Sequence, residues 1–244
     1  MVIFFMIAIL LQYFNKRGGK KLSIIDKALA KGQKTLSEYE SKLFLSSYGI
    51  PVTREILVTS LDEAIKAAAA IGFPVVLKGS SPDITHKTEL NLVALNLKNK
   101  QDVAEACARI IGIAERADIL VQEMVGGERE LAAGLIRNQQ FGPCVMLGLG
   151  GIIAEALADV AFRVAPLSAR DALDIQNDFK GSKILAPFRG KKEVNRQALV
   201  NILQAIGEIG LKEERIKEID LNPVKITDEG NPVVVDALIA LNSL

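Results

Sequence analysis

Apolar positions along the chain alternate between a spacing of three to four and a spacing of two, and each change of period is marked by a capping or turn residue. In TLSEYESKLFLSSYGI, Tyr39, Leu43, Phe44 and Tyr48 recur at helical spacing. Ser37 stands where an N-cap belongs, Glu40 completes a capping box three residues on, and Gly49 ends the run. VTREILVTS then reads as a strand, SLDEAIKAAAAIGF as a capped helix, PVVLKG as a buried strand and NLVALNLK as a strand with apolar residues on alternate positions. KQDVAEACARIIGIAERA predicts a second amphipathic helix and DILVQEMV a further strand.

Beyond a Gly-Gly-Glu turn the pattern becomes richer in strands. ELAAGLIRN and CVMLGLGG read as strands, and IIAEALADVAFRVAPLS as strand-like pieces interrupted by acidic residues. DALDIQNDF and VNRQALVNILQAIGEIGL predict helices, and EIDLNPVKI with PVVVDALIAL predicts a hairpin around TDEGN. The pattern implies an α+β protein of two α/β lobes, 23–125 and 126–244, the second rich in antiparallel strands. Residues 1–22 are set apart: VIFFMIAILL is followed by Lys16, Arg17, Lys20 and Lys21. It falls short of the about 20 apolar residues a spanning helix needs, and its charge follows rather than precedes the apolar run, unlike a signal peptide. It is expected to be an extension outside the fold or a short tether, and insertion into a membrane is not expected.

Composition narrows the function. Of 244 residues 49% are apolar, enough for a sizeable core, and 30 basic against 29 acidic residues leave a net charge of +1. Nothing in that balance suggests a nucleic-acid groove. Cys107 and Cys144 lie far apart without metal-ligand spacing, which points to a reducing cytoplasm rather than a disulfide framework.

The residues with chemistry fall in a few stretches. Asp220 and Asn222 are two apart on a strand and share a face. If Asp228-Glu229-Gly230 is a three-residue loop with Gly230 left-handed, Thr227 pairs with Asn231 and Asn222 stands opposite Asp236. An amide and a carboxylate among apolar neighbours suit Mg²⁺ shared with phosphates; the bland alternative is a solvated hairpin edge. Lys78 ends an apolar strand, a position from which its amine would reach beyond the sheet edge, as a phosphate-binding lysine requires. GSSPDITHKTEL follows with hydroxyls, Lys87 and the chain's one histidine, His86, which could carry a phosphoryl group or be an exposed bystander. The glycine-rich turn Gly148 to Gly151 precedes Glu155, Asp159 and Arg163, and a guanidinium between apolar residues needs an anionic partner, here Asp159 or Glu155.

LSEYESKLFLSSYGIPV, FPVVLKGSSPDITHK, ILVQEMVGGERELAAG, FGPCVMLGLGGIIAEALADVAFRVAPL and EIDLNPV with VVDALI together resemble the nucleotide-binding beta subunit of ADP-forming acetate-CoA ligases, the NDP-forming acyl-CoA synthetases. The resemblance runs from about Ser23 to Leu241. It implies an ATP-grasp fold with the nucleotide between two lobes, and a reaction in which acyl-CoA, ADP and phosphate interconvert with acid, CoA and ATP. It implies ATP/ADP and Mg²⁺ as cofactors and a CoA-binding alpha subunit as partner, in an α2β2 assembly. Carried over by position, His86 matches the phosphate-relay histidine and Lys78 the strand lysine on the phosphates, while Asn222 and Asp236 match the Mg²⁺ ligands. Gln122, Glu123 and Met124 match the hinge whose backbone meets adenine. Glu130 matches the strand crossing between lobes, and Glu155 and Arg163 match positions near the phosphates.

One departure stands out. After His86-Lys87 the family has Ser-Asp-Val-Gly-Gly-Val, whereas this chain has Thr88-Glu89-Leu90-Asn91-Leu92-Val93. Glycine permits positive φ and close approach of phosphate, and leucine tolerates that region poorly. The loop therefore takes another course, or turnover is impaired and the chain is a weakened ATP-grasp module with a nucleotide-sensing or structural role. A piece of a larger fused ligase is a third reading.

Overall fold

A computed structural model of the chain describes residues 22–80, 92–113, 118–151, 159–187 and 190–242. His86, Glu155 and all but the last residue of the 1–22 extension lie outside them.

Two short helices open the described chain, α1 (Ile24–Ala30) and α2 (Glu38–Ser47). Each starts on a serine whose hydroxyl accepts from the third residue on, Ser23 from Asp26 and Ser37 from Glu40, and both capping boxes are closed reciprocally. The first lobe follows: β1 (Glu55–Val58), α3 (Leu61–Ile71), β2 (Val75–Ser80), β3 (Val93–Leu97), α4 (Lys100–Ile113) and β4 (Asp118–Glu123). Its sheet is antiparallel in the order β1-β4-β2-β3. Val75, Leu77, Ile119 and Val121 pack against Ala64, Ala68, Val103 and Ile110 of the two helices. Because side chains alternate along a strand, Val76, Lys78 and Gln122 face the other way.

The second lobe contains β5 (Arg129–Asn138), β6 (Gly142–Leu149), β7 (Val160–Val164), α5 (Ala169–Asp178), a 3₁₀ turn (Lys180–Leu185), α6 (Arg196–Lys212), β8 (Ile216–Ile226), β9 (Pro232–Val234) and β10 (Leu238–Leu241). Strand order is β10-β8-β5-β6-β7, with β9 also on β8. Leu131, Leu135, Val145, Leu147, Ile219 and Leu221 meet Ile175, Leu199, Leu203 and Ile206 on the helix side, which leaves the opposite face of this sheet open.

The division of the chain differs from the expected 23–125 lobe. Ile25, Ala28, Leu36, Phe44, Leu45 and Ile50 belong to the core of the second lobe. Backbone bonds tie the segment there as well: Leu36 N–H donates to Ile239 O at 2.9 Å, Leu241 N–H to Lys34 O at 2.8 Å, and Val234 N–H to Pro51 O at 2.9 Å. Helix α2 therefore stands between the two sheets, fixed to the second while bordering the first.

One buried-end interaction sets the geometry of α6. The Arg137 guanidinium donates to Gly210 O and Glu213 O, both at 2.8 Å, and to Ile216 O, so a single cation satisfies carbonyls at the helix C-terminus and at the start of β8. Arg137→Ala is expected to lower stability by about 2–3 kcal/mol, from charged hydrogen bonds lost at a helix end. Urea unfolding should show a lower midpoint with an unchanged slope.

Candidate functional site

The hairpin adopts the predicted register. Thr227 N–H donates to Asn231 O at 2.9 Å and Gly230, at φ 91°, closes the loop. Val224 faces Val234 on one side of the break between β9 and β10, and Leu238 faces Asp220 on the other. The same register on both sides brings Asn222 level with Asp236, and Val235 N–H donates to Pro223 O at 3.0 Å between them. Ile219, Leu221 and Val224 fill the helix side of β8, so Asp220 and Asn222 project from the open face.

The glycine turn locks onto this hairpin. Gly151 N–H donates to Asn222 Oδ1 at 3.1 Å, and Gly150 N–H to Glu130 O at 2.9 Å. A Cβ at Gly150 would lie 2.4 Å from Leu131 O, and one at Gly151, where φ is 71°, would lie 2.2 Å from Glu130 Oε2. Only glycine lets the turn reach both residues. Glu130 is also 3.4 Å from the Lys225 ammonium.

Lys78 corrects one expectation. It does not project past the end of its strand but sits within β2, buried, on the face toward the second lobe. Its ammonium donates to Glu38 Oε1 at 2.6 Å and Val235 O at 3.3 Å, and stands 3.5 Å from Asp236 Oδ2. Burial alone would push its pKa down, but the Asp236 and Glu38 carboxylates outweigh it and hold the pKa above the ordinary lysine value. The two lobes thus meet through a lysine and the carboxylate that faces Asn222.

Behind Lys78 lies a buried polar cluster that the sequence reading missed. Lys42 is fully buried, with Glu38 at 2.8 Å, Glu55 at 2.7 Å, and Thr53 Oγ1 and Gln122 Oε1 both at 3.0 Å. Burial raises the Glu55 pKa, with Lys42 opposing. Glu38 and Lys42 stand four apart on a helix, the spacing of an ordinary surface ion pair, and no signal in the sequence marks them as interior.

At the junction between lobes, the Glu123 carboxylate accepts from Arg54 N at 2.8 Å and Arg54 Nε at 2.6 Å, while Met124 N–H donates to Pro74 O at 3.3 Å. With the Glu123 side chain engaged, this segment has mainly backbone to offer a ligand. Glu123, Met124, Val125 and Gly126 face Thr227, Asp228, Glu229 and Val233 across a depression of ≈ 270 Å³. Gln122 is 1% exposed and its Nε2 finds no hydrogen-bond partner among the described residues, although its Oε1 is held by Lys42. A buried donor of this kind calls for a partner, which water or a polar ligand at the joint would supply.

Arg163 is not brought into this group. It pairs with Val145, which belongs to the helix-covered core, and its guanidinium is bonded to Asp178 at the end of α5 and to Phe162 O at 2.8 Å. The partner expected for it, Asp159, instead accepts from Lys180 N at 2.7 Å and Gly181 N at 2.6 Å. The strand period explains the outcome: Arg163 falls on the face opposite Asn222.

The segment bearing His86 and Asn91 lies outside the described residues, but its exit is defined. Gly79 N–H donates to Leu92 O at 2.8 Å, and Leu92 is 1% exposed in the core of the first lobe. Leucine at this position serves packing.

The donor set suits a hard cation. No group of three or more His, Cys, Asp or Glu side chains among the described residues could enclose a metal. An amide and one carboxylate, with Asp220 beside them, instead match a cation completed by water and phosphate oxygens. Asp220 is pushed up to about 6 by burial and by the neighbouring Glu218 and Asp236 carboxylates, a repulsion that a divalent cation would relieve. Anionic phosphate between Lys78 and such a cation would have opposite charge on both sides.

The chain matches the ATP-grasp domain family over residues 27–241. It is 42% identical over 232 residues to the Pyrococcus furiosus acetate-CoA ligase [ADP-forming] I subunit beta, covering 92% of this chain and 99% of that one. Among solved structures it is similar to the Ca. Korarchaeum cryptofilum dinucleotide-forming acetyl-coenzyme A synthetase 1 in complex with coenzyme A, Ca-AMPCP and HgCl+. That match has a TM-score of 0.85 at 44% identity, covering 88% of this chain and 97% of that one. A second structure of that synthetase, with coenzyme A and Mg-AMPPCP, has its phosphohistidine segment pointing towards the nucleotide binding site; it matches at TM-score 0.81 and 44% identity, over 90% of this chain and 98% of that one.

Proposed function

We propose a function that proceeds from one premise: the chain belongs to the ATP-grasp family, among the ADP-forming acetate-CoA ligase beta subunits. It is the nucleotide-binding subunit of an acyl-CoA synthetase that catalyses acyl-CoA + ADP + phosphate = acid + CoA + ATP. The observation that carries this reading is the approach of Lys78 to Asp236, at 3.5 Å across the joint between lobes and level with Asn222.

In this reading Lys78 holds the nucleotide phosphates, the backbone of Glu123 and Met124 meets adenine, and the free Nε2 of Gln122 donates to the nucleotide. Asn222 and Asp236 would hold Mg²⁺, with Glu130 bracing the glycine turn against Asn222. When bound, Mg²⁺ would neutralise charge on the phosphates during transfer. His86 accepts the phosphoryl group delivered by the partner and gives it to ADP; in sequence it follows by six residues the last residue of β2, the strand that holds Lys78. Glu155 keeps its place near the phosphates only by the resemblance. Arg163, bonded to Asp178 on the other face, has no part.

The partner is a CoA-binding alpha subunit, in an α2β2 assembly, and the setting is a reducing cytoplasm. Both cysteines are free, and no described helix is long and apolar enough to cross a membrane. The alternative of a weakened module rests on the missing glycines after His86, and the burial of Leu92 accounts for one of them by packing. Mixing the chain with its alpha partner and measuring acyl-CoA-dependent ATP formation tests the reading. ATP should form with the unsubstituted chain, and His86→Ala should reduce the rate by at least about 10³-fold, as loss of a covalent relay does. Undiminished activity in that variant would remove the relay.

A further inference from the structure

Glu38 and Lys42 are the charged pair that the proposed reaction leaves without a task. Both are buried, and a buried ion network is poor evidence of stability, since apolar residues of similar volume often serve as well or better. Lys42 cannot be a direct ligand of the nucleotide. An ammonium has three N–H donors, and four acceptors already lie within 3.0 Å of it: Glu38, Glu55, Thr53 and Gln122.

What Lys42 does reach is the carboxylate that holds Lys78. Both ammonium groups share Glu38 Oε1, Lys42 at 2.8 Å and Lys78 at 2.6 Å. Lys78 has two carboxylates near it, Glu38 and Asp236, and the second is the one that would turn to a cation. Glu38 is then its remaining anionic neighbour at ion-pair distance among the described residues. Were Glu38 compensated by Lys78 alone, an incoming phosphate would have to compete with it for that ammonium. Because Lys42 also draws on Glu38, the positive charge of Lys78 is left partly uncompensated and directed at the joint.

We propose that Glu38 and Lys42 are positioning residues for the nucleotide phosphates, acting through Lys78: Glu38 fixes the ammonium in place, and Lys42 is the internal counter-ion that keeps Glu38 from cancelling it. The inference rests on the reading that nucleotide phosphates meet Lys78. It requires the two members of the pair to shift nucleotide affinity in opposite directions. Removing the Glu38 charge exposes Lys78 to phosphate, and removing the Lys42 charge surrenders Lys78 to Glu38.

The test is calorimetric titration of Mg-ADP into the full-length chain, alone and with its alpha partner. Glu38→Gln should bind at least about tenfold more tightly and Lys42→Met at least about tenfold more weakly, a lower bound for one charge several Å away at an effective dielectric of about 20. The double variant, which removes both charges, should return to within about threefold of the starting affinity. A purely structural role predicts instead that both single variants weaken binding and the double variant most of all; that pattern would overturn the inference. Should Lys42→Met fail to fold, Glu38→Gln alone decides, since unchanged or weaker binding in it is enough to reject the proposal. No saturable ADP binding by the unsubstituted chain would remove the nucleotide reading itself and the inference with it.

Discussion

Lys78→Met should reduce acyl-CoA-dependent ATP formation by about 10²–10³-fold, the loss typical of one preorganised charge aimed at developing negative charge. Methionine fills nearly the same volume, so the substitution removes the ammonium without opening a large cavity. It also breaks a buried pair. Glu38 keeps Lys42 at 2.8 Å, so its charge is not left alone, but the Lys78 contacts to Glu38, Val235 and Asp236 vanish from the joint between lobes. The expected cost is about 2–3 kcal/mol, below the about 3–5 kcal/mol seen when a buried ion loses its only partner. Steady-state kinetics and urea unfolding on the same preparation check both halves. Retained turnover at saturating nucleotide would show that Lys78 is a structural lysine and that phosphate is held elsewhere.

The features of the site legible in sequence are those that depend on local period and turn chemistry. The Ser37–Glu40 capping box, the Asp228-Glu229-Gly230 loop and the level placement of Asn222 and Asp236 follow from spacings of three, two and one left-handed glycine. Two strands that keep register across a short loop leave little freedom, so a hairpin is the easiest tertiary fact to read from a linear string.

Features that depend on which surface covers a face were not legible. Lys78 alternates correctly with Val75 and Leu77, yet period alone cannot tell a face open to water from one closed by α2. Glu38 and Lys42 look like a solvated ion pair because their spacing is that of one, and their burial comes from Glu55 and Gln122, residues distant in sequence. The same blindness assigned α1 and α2 to the lobe that follows them in the chain. Their apolar stripe belongs with Ile239 and Val234, about 200 residues away, which no helical period reveals. Arg163 fails for the opposite reason. Its strand was anticipated, but the face it takes is set by pairing with Val145 in β6, and one position of register separates the cleft from the helix side.

Asp236→Ala should separate function from stability more cleanly than any substitution on β2. Its side chain is 42% exposed, and its ion partner among the described residues, Lys78 at 3.5 Å, keeps the closer Glu38 when Asp236 is removed. A contact of this length from a solvated carboxylate, to a lysine that retains its closer partner, contributes about 0–1 kcal/mol, so the melting temperature should move by no more than about 4 °C. The Mg²⁺ concentration giving half-maximal ATP formation should nevertheless rise by at least about tenfold, with a fall of about 10²-fold in turnover at physiological Mg²⁺, because a hard cation held by few protein oxygens depends on the one that is charged. Asp236→Asn keeps an oxygen without the charge and should fall between the two. Asn222 is a less clean probe, since its Oδ1 also anchors Gly151 N–H and its loss would release the glycine turn along with the cation. A Mg²⁺ titration superimposable on that of the unsubstituted protein would place the cation away from this hairpin, and the reading of the open face as a phosphoryl-transfer site would lose its charged centre.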